Sequence, residues 1–439
     1  MNNKSNARLK ASLIPAGNTM PFILVTALFL FWGIPNNLND ILIRQFMKSF
    51  EITRLQAGLV QSAFYMGYFL LALPAAMIMR KYSYKVGLVI GMCLYSLGTL
   101  LFWPAAHAGQ YGFFLCALFV IASGLSFLET GANPFVANLG NPESSERRLN
   151  FSQAFNPVGA ILGVLVGTVF IFSGIEPDAT KIEAMKAAGL YDKFLQDEIM
   201  RVVTPYIVLG IVVFIWAILI IRTKFPNIQA EQEDPNHRSK FKDLIKFPHF
   251  IKGVFAQFCY VGAQVGTWSY FIQYSQDYTG IGEKSAGYFL TGTLVAFGLG
   301  RFSATYIMRF FEPRKLMGLY GLINIALVSM SVVFPGWIGV WSIFLTSFFM
   351  SLMFPTIFAL GIKGLGPHTK IAGSIIVMAI VGGAVFTPLM GMLASTSMAM
   401  AMLYPLGCYI VVTFYAYRGS IPGNIIENDL SEPKIISSH

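Results

Sequence analysis

A long stretch without formal charge constrains this chain more than any other feature. Between Val86 and Leu128 there is no Asp, Glu, Lys or Arg. Over all 439 residues only 12% are charged and 55% are hydrophobic. Soluble domains carry about 25% charged residues, and a helix of roughly 20 apolar residues spans a bilayer. The sequence therefore predicts an all-α membrane protein, because open sheet edges cannot be satisfied in lipid.

Twelve apolar segments of spanning length follow one another along the chain. The first six are predicted at 20–43, 56–79, 85–106, 111–138, 151–174 and 202–222. The second six are predicted at 250–274, 285–308, 314–335, 338–362, 371–395 and 398–417. We expect an N-terminal six-helix bundle over 1–222, a linker over 223–249, a C-terminal six-helix bundle over 250–417 and a tail over 418–439. The polar N-terminus has no small-residue cleavage pattern, so the first span is expected to be retained.

The placement of basic residues predicts the orientation in the membrane. Most of the 31 Lys and Arg fall in alternate loops that become cytoplasmic when the N-terminus is cytoplasmic, as the positive-inside rule requires. We therefore expect a multi-pass protein of the cell inner (plasma) membrane, with both termini and the linker in the cytoplasm. The same placement argues against a nucleic-acid-binding surface as the reason for the net charge of +10. The segment 176–201 is expected to form a solvated cap on the outer face.

The two halves of the chain resemble each other at a constant offset of 229 residues. The matches are Gly33 with Gly262, Ala57-Gly58 with Ala286-Gly287, and Ile78-Met79-Arg80 with Ile307-Met308-Arg309. Several matches at one offset indicate a tandem parallel repeat. Two six-helix halves related in this way are typical of the major facilitator fold, in which substrate lies between the halves near the midplane.

Two carboxylates, Asp40 and Glu129, are the only acidic residues well inside the predicted spans. An ionisable residue at the centre of a span costs about 2.5–3.5 kcal/mol and marks function by default. Buried carboxyl groups can exchange a proton near neutral pH, so both residues are candidates for proton coupling. The alternatives are that Asp40 caps the outer end of its helix and that Glu129 bonds a neighbouring helix for packing alone.

Amide side chains accompany the carboxylates in the first half. They stand three or four residues from a carboxylate or from each other, which places the paired side chains on one helix face. Beside Glu129 itself, the first-half candidates for substrate binding are Asn36, Asn37, Asn133, Gln153 and Asn156.

The second half offers aromatic side chains and one amide, namely Tyr260, Gln264, Trp268 and Phe354. Polar groups on one side and aromatic faces on the other suit a sugar, whose hydroxyls need polar partners and whose ring packs on Trp or Phe. Any single aromatic residue can instead face lipid or the core. Arg301, the only basic residue within a span, is a candidate gate residue or a side chain that snorkels to the cytoplasmic surface.

Other chemistries find little support in the sequence. The four cysteines stand singly within apolar spans, without metal-ligand or disulfide spacing. No nucleophile–base pair or phosphate-binding glycine loop stands at usable spacing. We therefore expect no enzymatic activity, no cofactor and no metal. The expected partners are a small sugar, a co-transported proton and lipid, and the chain is expected to be monomeric.

Motifs along nearly all the spans resemble those of the fucose permease family of the major facilitator superfamily. They include NNLNDIL, QAGLVQSAFYMGYF, LETGANPF, QAFNPVGAILG, AQFCYVGAQVGTWSY and FPTIFALGIKGLG. The resemblance implies uptake of L-fucose, or of a close hexose such as galactose, by proton symport. It also implies that Asp40 and Glu129 take part in proton coupling and that Gln153 and Asn156 bind sugar hydroxyls.

A related branch of the family leaves an alternative open. Its members carry glucose and galactose, in some cases coupled to sodium, and often have Gln at the position of Glu129. Glu129 thus favours the proton symporter. Phe354 stands where similar fucose permeases tend to have Tyr, so one hydroxyl partner is expected to be missing. A membrane sensor that no longer transports is a remote third interpretation, because the linker and tail are too short for a signalling domain.

Overall fold

Helices make up nearly all of the regular structure. The computed structural model describes residues 17–140, 148, 151–226, 244–308, 310–365 and 369–421, and no strand occurs within these ranges. The first-half helices are α1 (Thr19–Phe50), α2 (Arg54–Lys81), α3 (Tyr84–Leu100 and Phe102–Ala108), α4 (Tyr111–Asn138), α5 (Phe155–Val166 and Gly167–Ile171) and α6 (Tyr191–Arg222).

The second half repeats this order of six helices. They are α7 (Pro248–Thr279), α8 (Glu283–Ile307), α9 (Pro313–Val333), α10 (Trp337–Met350 and Met353–Ile362), α11 (Thr369–Met378, Ala379–Val381 and Gly382–Ala394) and α12 (Met398–Ala401, Leu403–Phe414 and Tyr415–Gly419). A short helix, Ala179–Ala187, lies in the predicted solvated cap and has no buried residue.

Ten helices of the described ranges are long and apolar enough to cross a membrane. The remaining two of the twelve, α7 and α8, have 32 and 25 residues, which is sufficient length for a span. The polar residues that lower the hydropathy of α7 are mostly buried inside the protein, among them Gln257, Ser269 and Gln273. Their position keeps the polar groups away from lipid.

Close helix crossings hold each half together. In the first half, α4 packs against α2 and α3, and α5 packs against α1. The crossing of α1 and α5 depends on glycine, because a Cβ added to Gly159 would lie 2.2 Å from the carbonyl oxygen of Leu30. Small residues of this kind let helix backbones approach closely in membranes. Between the halves, the contacting pairs are α2 with α11, α5 with α8, and α1 with α7.

The two ends of the helix bundle differ in the segments that lie there, and we name them the linker end and the far end. The linker end holds the last residue of α6 and the first residue of α7, and the far end holds the turns α1–α2 and α7–α8. At the far end the halves are in direct contact. Glycine again permits this, since a Cβ on Gly58 of α2 would lie 2.8 Å from the Cα of Pro388 in α11.

Buried ion pairs reinforce the contact at the far end. The Lys48 ammonium lies 3.0 Å from a carboxylate oxygen of Glu198 in the first half and 2.9 Å from one of Glu283 in the second. All three side chains are less than 10% exposed. Arg54 of α2 also pairs with Asp277 of α7. The described structure is therefore closed at the far end.

Candidate functional site

A cavity of about 420 Å³ lies between the two halves. It extends from Asp40, next to the far-end contacts, to Gln153 before the first turn of α5, where the side chain is exposed. The cavity therefore opens toward the linker end. Its volume falls within the range of roughly 300–1,000 Å³ that small-molecule sites occupy.

Most of the residues predicted from the sequence line this cavity. They are Asn36, Asn37, Asp40, Glu129, Gln153, Asn156, Gln264, Trp268, Arg301 and Phe354.

Two predicted binding residues, Asn133 and Tyr260, are not among the lining residues. The Asn133 amide oxygen accepts a hydrogen bond from Gln153 at 3.1 Å. Tyr260 is fully buried, and its hydroxyl donates to the Met350 carbonyl at 3.1 Å while its ring packs against Phe354. Seen from the cavity, Asn133 therefore lies behind Gln153, and Tyr260 lies behind Phe354. Whether either contacts substrate stays a prediction.

Asp40 is buried where α1, α2 and α7 meet. Its Oδ1 atom accepts hydrogen bonds from Gln61 Nε2 at 2.9 Å and from Ser269 Oγ at 3.0 Å. Gln61 Nε2 also donates to Ser269 Oγ at 2.9 Å. Asp40 lies well inside α1, which ends at Phe50, so it does not cap the helix.

Glu129 projects from α4 into the same cavity and has a different environment. It is partly exposed. Within the described residues its carboxylate makes no hydrogen bond, and only its backbone carbonyl accepts one, from Asn133 at 3.1 Å. In the described part of the chain, Glu129 therefore does not bond a neighbouring helix, as the packing alternative would require. The carboxylate is available to a ligand.

Amide groups near Glu129 are held in place mainly by backbone carbonyls. Asn156 donates to Phe29 O at 3.4 Å, and Asn37 donates to Gly33 O of its own helix at 3.1 Å. Asn36 accepts from the hydroxyl of Tyr68 at 3.5 Å. These bonds orient the side chains and leave further donor and acceptor positions for hydroxyl groups.

The second half contributes an aromatic surface with one cation. The indole N–H of Trp268 donates to Ser347 Oγ at 3.0 Å, and its ring meets Phe297 edge-on with centroids 5.1 Å apart. The Arg301 guanidinium lies 4.8 Å from the centroid of the same Phe297 ring. Because Arg301 lines the cavity, the structure favours a place in the cavity wall over snorkelling to the surface.

The sequence analysis did not anticipate several residues of this site, among them Gln61, Tyr68, Ser269 and Phe297. A signal for one of them was present in the repeat, because Ser269 stands 229 residues after Asp40. Within the described ranges, no group of three or more His, Cys, Asp and Glu side chains could hold a metal ion.

A polar and aromatic cavity between two six-helix halves, closed at one end, is typical of secondary transporters. Residues 21–388 match the family model described as Major Facilitator Superfamily. The chain is 42% identical to the L-fucose-proton symporter of Escherichia coli (strain K12), with 90% of this chain and 92% of that protein covered. It is 36% identical to the glucose/galactose transporter of Brucella abortus, with 90% and 93% covered.

A solved structure of a transporter is also similar to this chain. The crystal structure of FucP, a major facilitator transporter in the outward conformation, has a TM-score of 0.68 and 42% identity, with 90% of this chain and 97% of that chain covered. The chain belongs to the major facilitator superfamily. Both the predicted fold and the resemblance to fucose permeases are confirmed.

Proposed function

We propose that this protein takes up a sugar, L-fucose or a close hexose such as galactose, together with a proton. The observation that supports this most directly is the carboxylate of Glu129, which makes no hydrogen bond within the described residues and lies in a cavity with amides from one half and Trp268 from the other. Sugar hydroxyls can bond the carboxylate and amides, while the apolar ring face packs on the indole. Two relatives are named as an L-fucose-proton symporter and a glucose/galactose transporter, which supports a hexose as substrate.

Transport follows from alternation between two arrangements of the halves. We place the linker end in the cytoplasm, with both termini, because the basic loops lie on that side. The described structure is then inward-facing in the inner membrane, with the cavity open to the cytoplasm. The helices of the first half and those of the second half move as two units, and opening the far end requires the contacts of Lys48 with Glu283 and of Arg54 with Asp277 to separate.

The test is the pH of a weakly buffered suspension of de-energised cells that express the protein. L-fucose, D-galactose or D-glucose is added in sodium-free medium. Prompt alkalinisation of the medium on addition of one sugar is the expected result, because protons enter with it. Cells without the protein serve as the control. Uptake that occurs without any alkalinisation would overturn the proton-coupled mechanism.

A sodium-coupled glucose and galactose transporter is the second candidate, supported by the Brucella abortus relative. Replacing sodium by choline separates the two. Sodium-coupled uptake stops under this replacement, whereas proton-coupled uptake continues and follows the pH gradient.

A further inference from the structure

The hydrogen bonds of Asp40 connect the two halves of the molecule. Gln61, from the first half, and Ser269, from the second, both donate to the same carboxylate oxygen. Asp40 and Ser269 also occupy equivalent positions of the 229-residue repeat, and they are in direct contact. Equivalent residues can touch only close to the axis that relates the halves. This contact therefore lies at the centre of the interface between the halves.

The same contact lies at the boundary between the closed far end and the cavity. Asp40 and Gln61 line the cavity. On α1, one turn toward the far end, Arg44 pairs with Glu176, which also accepts a hydrogen bond from Gln276 of α7 at 2.8 Å. Another turn on, Lys48 pairs with Glu283 at the start of α8. Opening the far end separates α1 from α7 and α8 at these levels. It also withdraws Ser269 from Asp40.

We propose that Ser269 and Gln61 are positioning residues that couple the charge of Asp40 to closure of the far end. Hydrogen bonds donated to an ionised carboxylate are about twice as strong as those between neutral groups. Ionised Asp40 therefore favours the closed far end, in which Ser269 can reach it. By reciprocity, the closed far end favours ionised Asp40.

This coupling gives the proton step a direction. When the far end is open, Asp40 lacks the Ser269 donor and binds a proton from the far side. When the far end closes, the Ser269 donor returns and the proton leaves through the cavity toward the linker end. That direction is the one required of uptake, so the inference rests on the proposed function and adds the residues that couple proton release to closure.

Other titratable or charged groups share the cavity and differ from Asp40 in their contacts. Tyr65 and Tyr68 come from α2, Glu129 from α4 and Arg301 from α8. None of them is hydrogen-bonded to the Asp40 carboxylate in the described structure. Glu129 has no hydrogen bond of its carboxylate to the other half within the described ranges, so it is suited to sense sugar, whereas Asp40 senses the arrangement of the halves.

The test compares net uptake with exchange in right-side-out membrane vesicles, using radiolabelled L-fucose as the probe. The variants are Ser269→Ala, which removes the donor, and Ser269→Thr, which restores a hydroxyl. Ser275→Ala is the matched control. Ser275 is on the same helix and fully buried, and it donates only to the Phe271 carbonyl of its own helix.

For Ser269→Ala we expect net uptake driven by a pH gradient to fall about tenfold, the usual effect of one hydrogen bond to a charged group. Exchange of internal for external sugar falls much less, because it proceeds without proton release. Raising the internal pH by about one unit restores most of the lost net uptake. Ser269→Thr recovers both activities, and Ser275→Ala behaves as the unmodified protein.

Three results would overturn the inference. They are an unchanged net uptake in Ser269→Ala, an equal loss of uptake and exchange that internal pH does not alter, and a loss in Ser275→Ala of the same size. Failure of the proposed function is distinguishable, because the unmodified vesicles would then not accumulate L-fucose, D-galactose or D-glucose in response to a pH gradient.

Discussion

At the scale of single residues, the two membrane carboxylates differ in what their oxygens contact. Asp40 is 3% exposed and bonded to Gln61 and Ser269, whereas the carboxylate of Glu129 faces the cavity without a bonded partner in the described part. Both residues could be predicted from the sequence because an acid stands out in an apolar span. Their different environments could not, because these depend on which side chains other helices bring near.

The first prediction concerns the charge of Glu129. Glu129→Gln keeps the size and hydrogen-bonding capacity of the side chain but cannot exchange a proton. We expect accumulation of sugar against a gradient to be lost and exchange to be partly retained. Uptake and exchange of labelled sugar in vesicles measure the two activities. Glu312→Gln is the control, because within the described residues Glu312 forms its ion pairs at the surface, with nearby Arg314 and Lys315. Accumulation by Glu129→Gln would contradict a coupling role.

The second prediction concerns the aromatic wall of the cavity. Trp268→Leu removes a ring that Ser347 and Phe297 hold in place. Loss of a stacked ring is worth about 0.5–1.5 kcal/mol beyond its buried area, so we expect the KM for sugar to rise about tenfold with a smaller change in maximal rate. Trp341→Leu, at a Trp that is 48% exposed, should leave KM unchanged. An unchanged KM in Trp268→Leu would show that the Trp268 ring does not contribute to sugar binding.

At the scale of helices, the length of a helix and the helices that it crosses depend on tertiary contacts, which the local pattern of apolar residues does not show. The apolar pattern predicts the first span at 20–43, yet α1 continues to Phe50. Its last turns carry Gln45 and Lys48, which are polar but find buried partners in Glu198. The crossing of α1 and α5 needs a glycine at 159, and nothing near that residue in the chain reveals which helix it meets.

The third prediction tests that crossing. Gly159→Ala places a methyl group 2.2 Å from the Leu30 carbonyl oxygen, so the helices must move apart. Overpacking of this kind typically costs about 1–3 kcal/mol, and we expect a lower midpoint of thermal unfolding in detergent. Gly298→Ala makes the same chemical change in α8, where a Cβ would meet no atom within 4 Å. A drop of equal size in both variants would show that the crossing is not responsible.

At the scale of the whole molecule, the arrangement of the halves is held by charges buried at the far end. Lys48 contacts Glu198 in its own half and Glu283 in the other, and Glu283 also accepts from the Gly174 backbone N–H at 2.9 Å. Separating the halves exposes these groups to water, which compensates part of the lost attraction. The cluster is therefore suited to hold the far end closed and still release it.

The fourth prediction follows from this cluster. Glu283→Gln removes the charge that Lys48 contacts in the second half, and breaking a buried pair costs on the order of 3–5 kcal/mol. We expect the far end to open more often. The measurement uses a cysteine-free chain with Ile380→Cys in the cavity, labelled in intact cells by a membrane-impermeant maleimide. Labelling should rise in Glu283→Gln and stay at the unmodified level in Glu312→Gln. Equal labelling in both would exclude Glu283 as a closing residue.

The sequence by itself determined the class of protein and the helical spans, and most of the site residues predicted from it line the cavity. These follow from local properties, since span length, charge-free runs and isolated acids can be read without knowing what each helix touches. The tertiary structure alone decided that Ser269 reaches Asp40, that Lys48 joins the two halves and that Tyr260 stands behind Phe354. The first two contacts bring together residues more than 200 positions apart, and all three depend on the rotation of each helix about its axis. An apolar span specifies that rotation weakly, because lipid and core accept the same side chains.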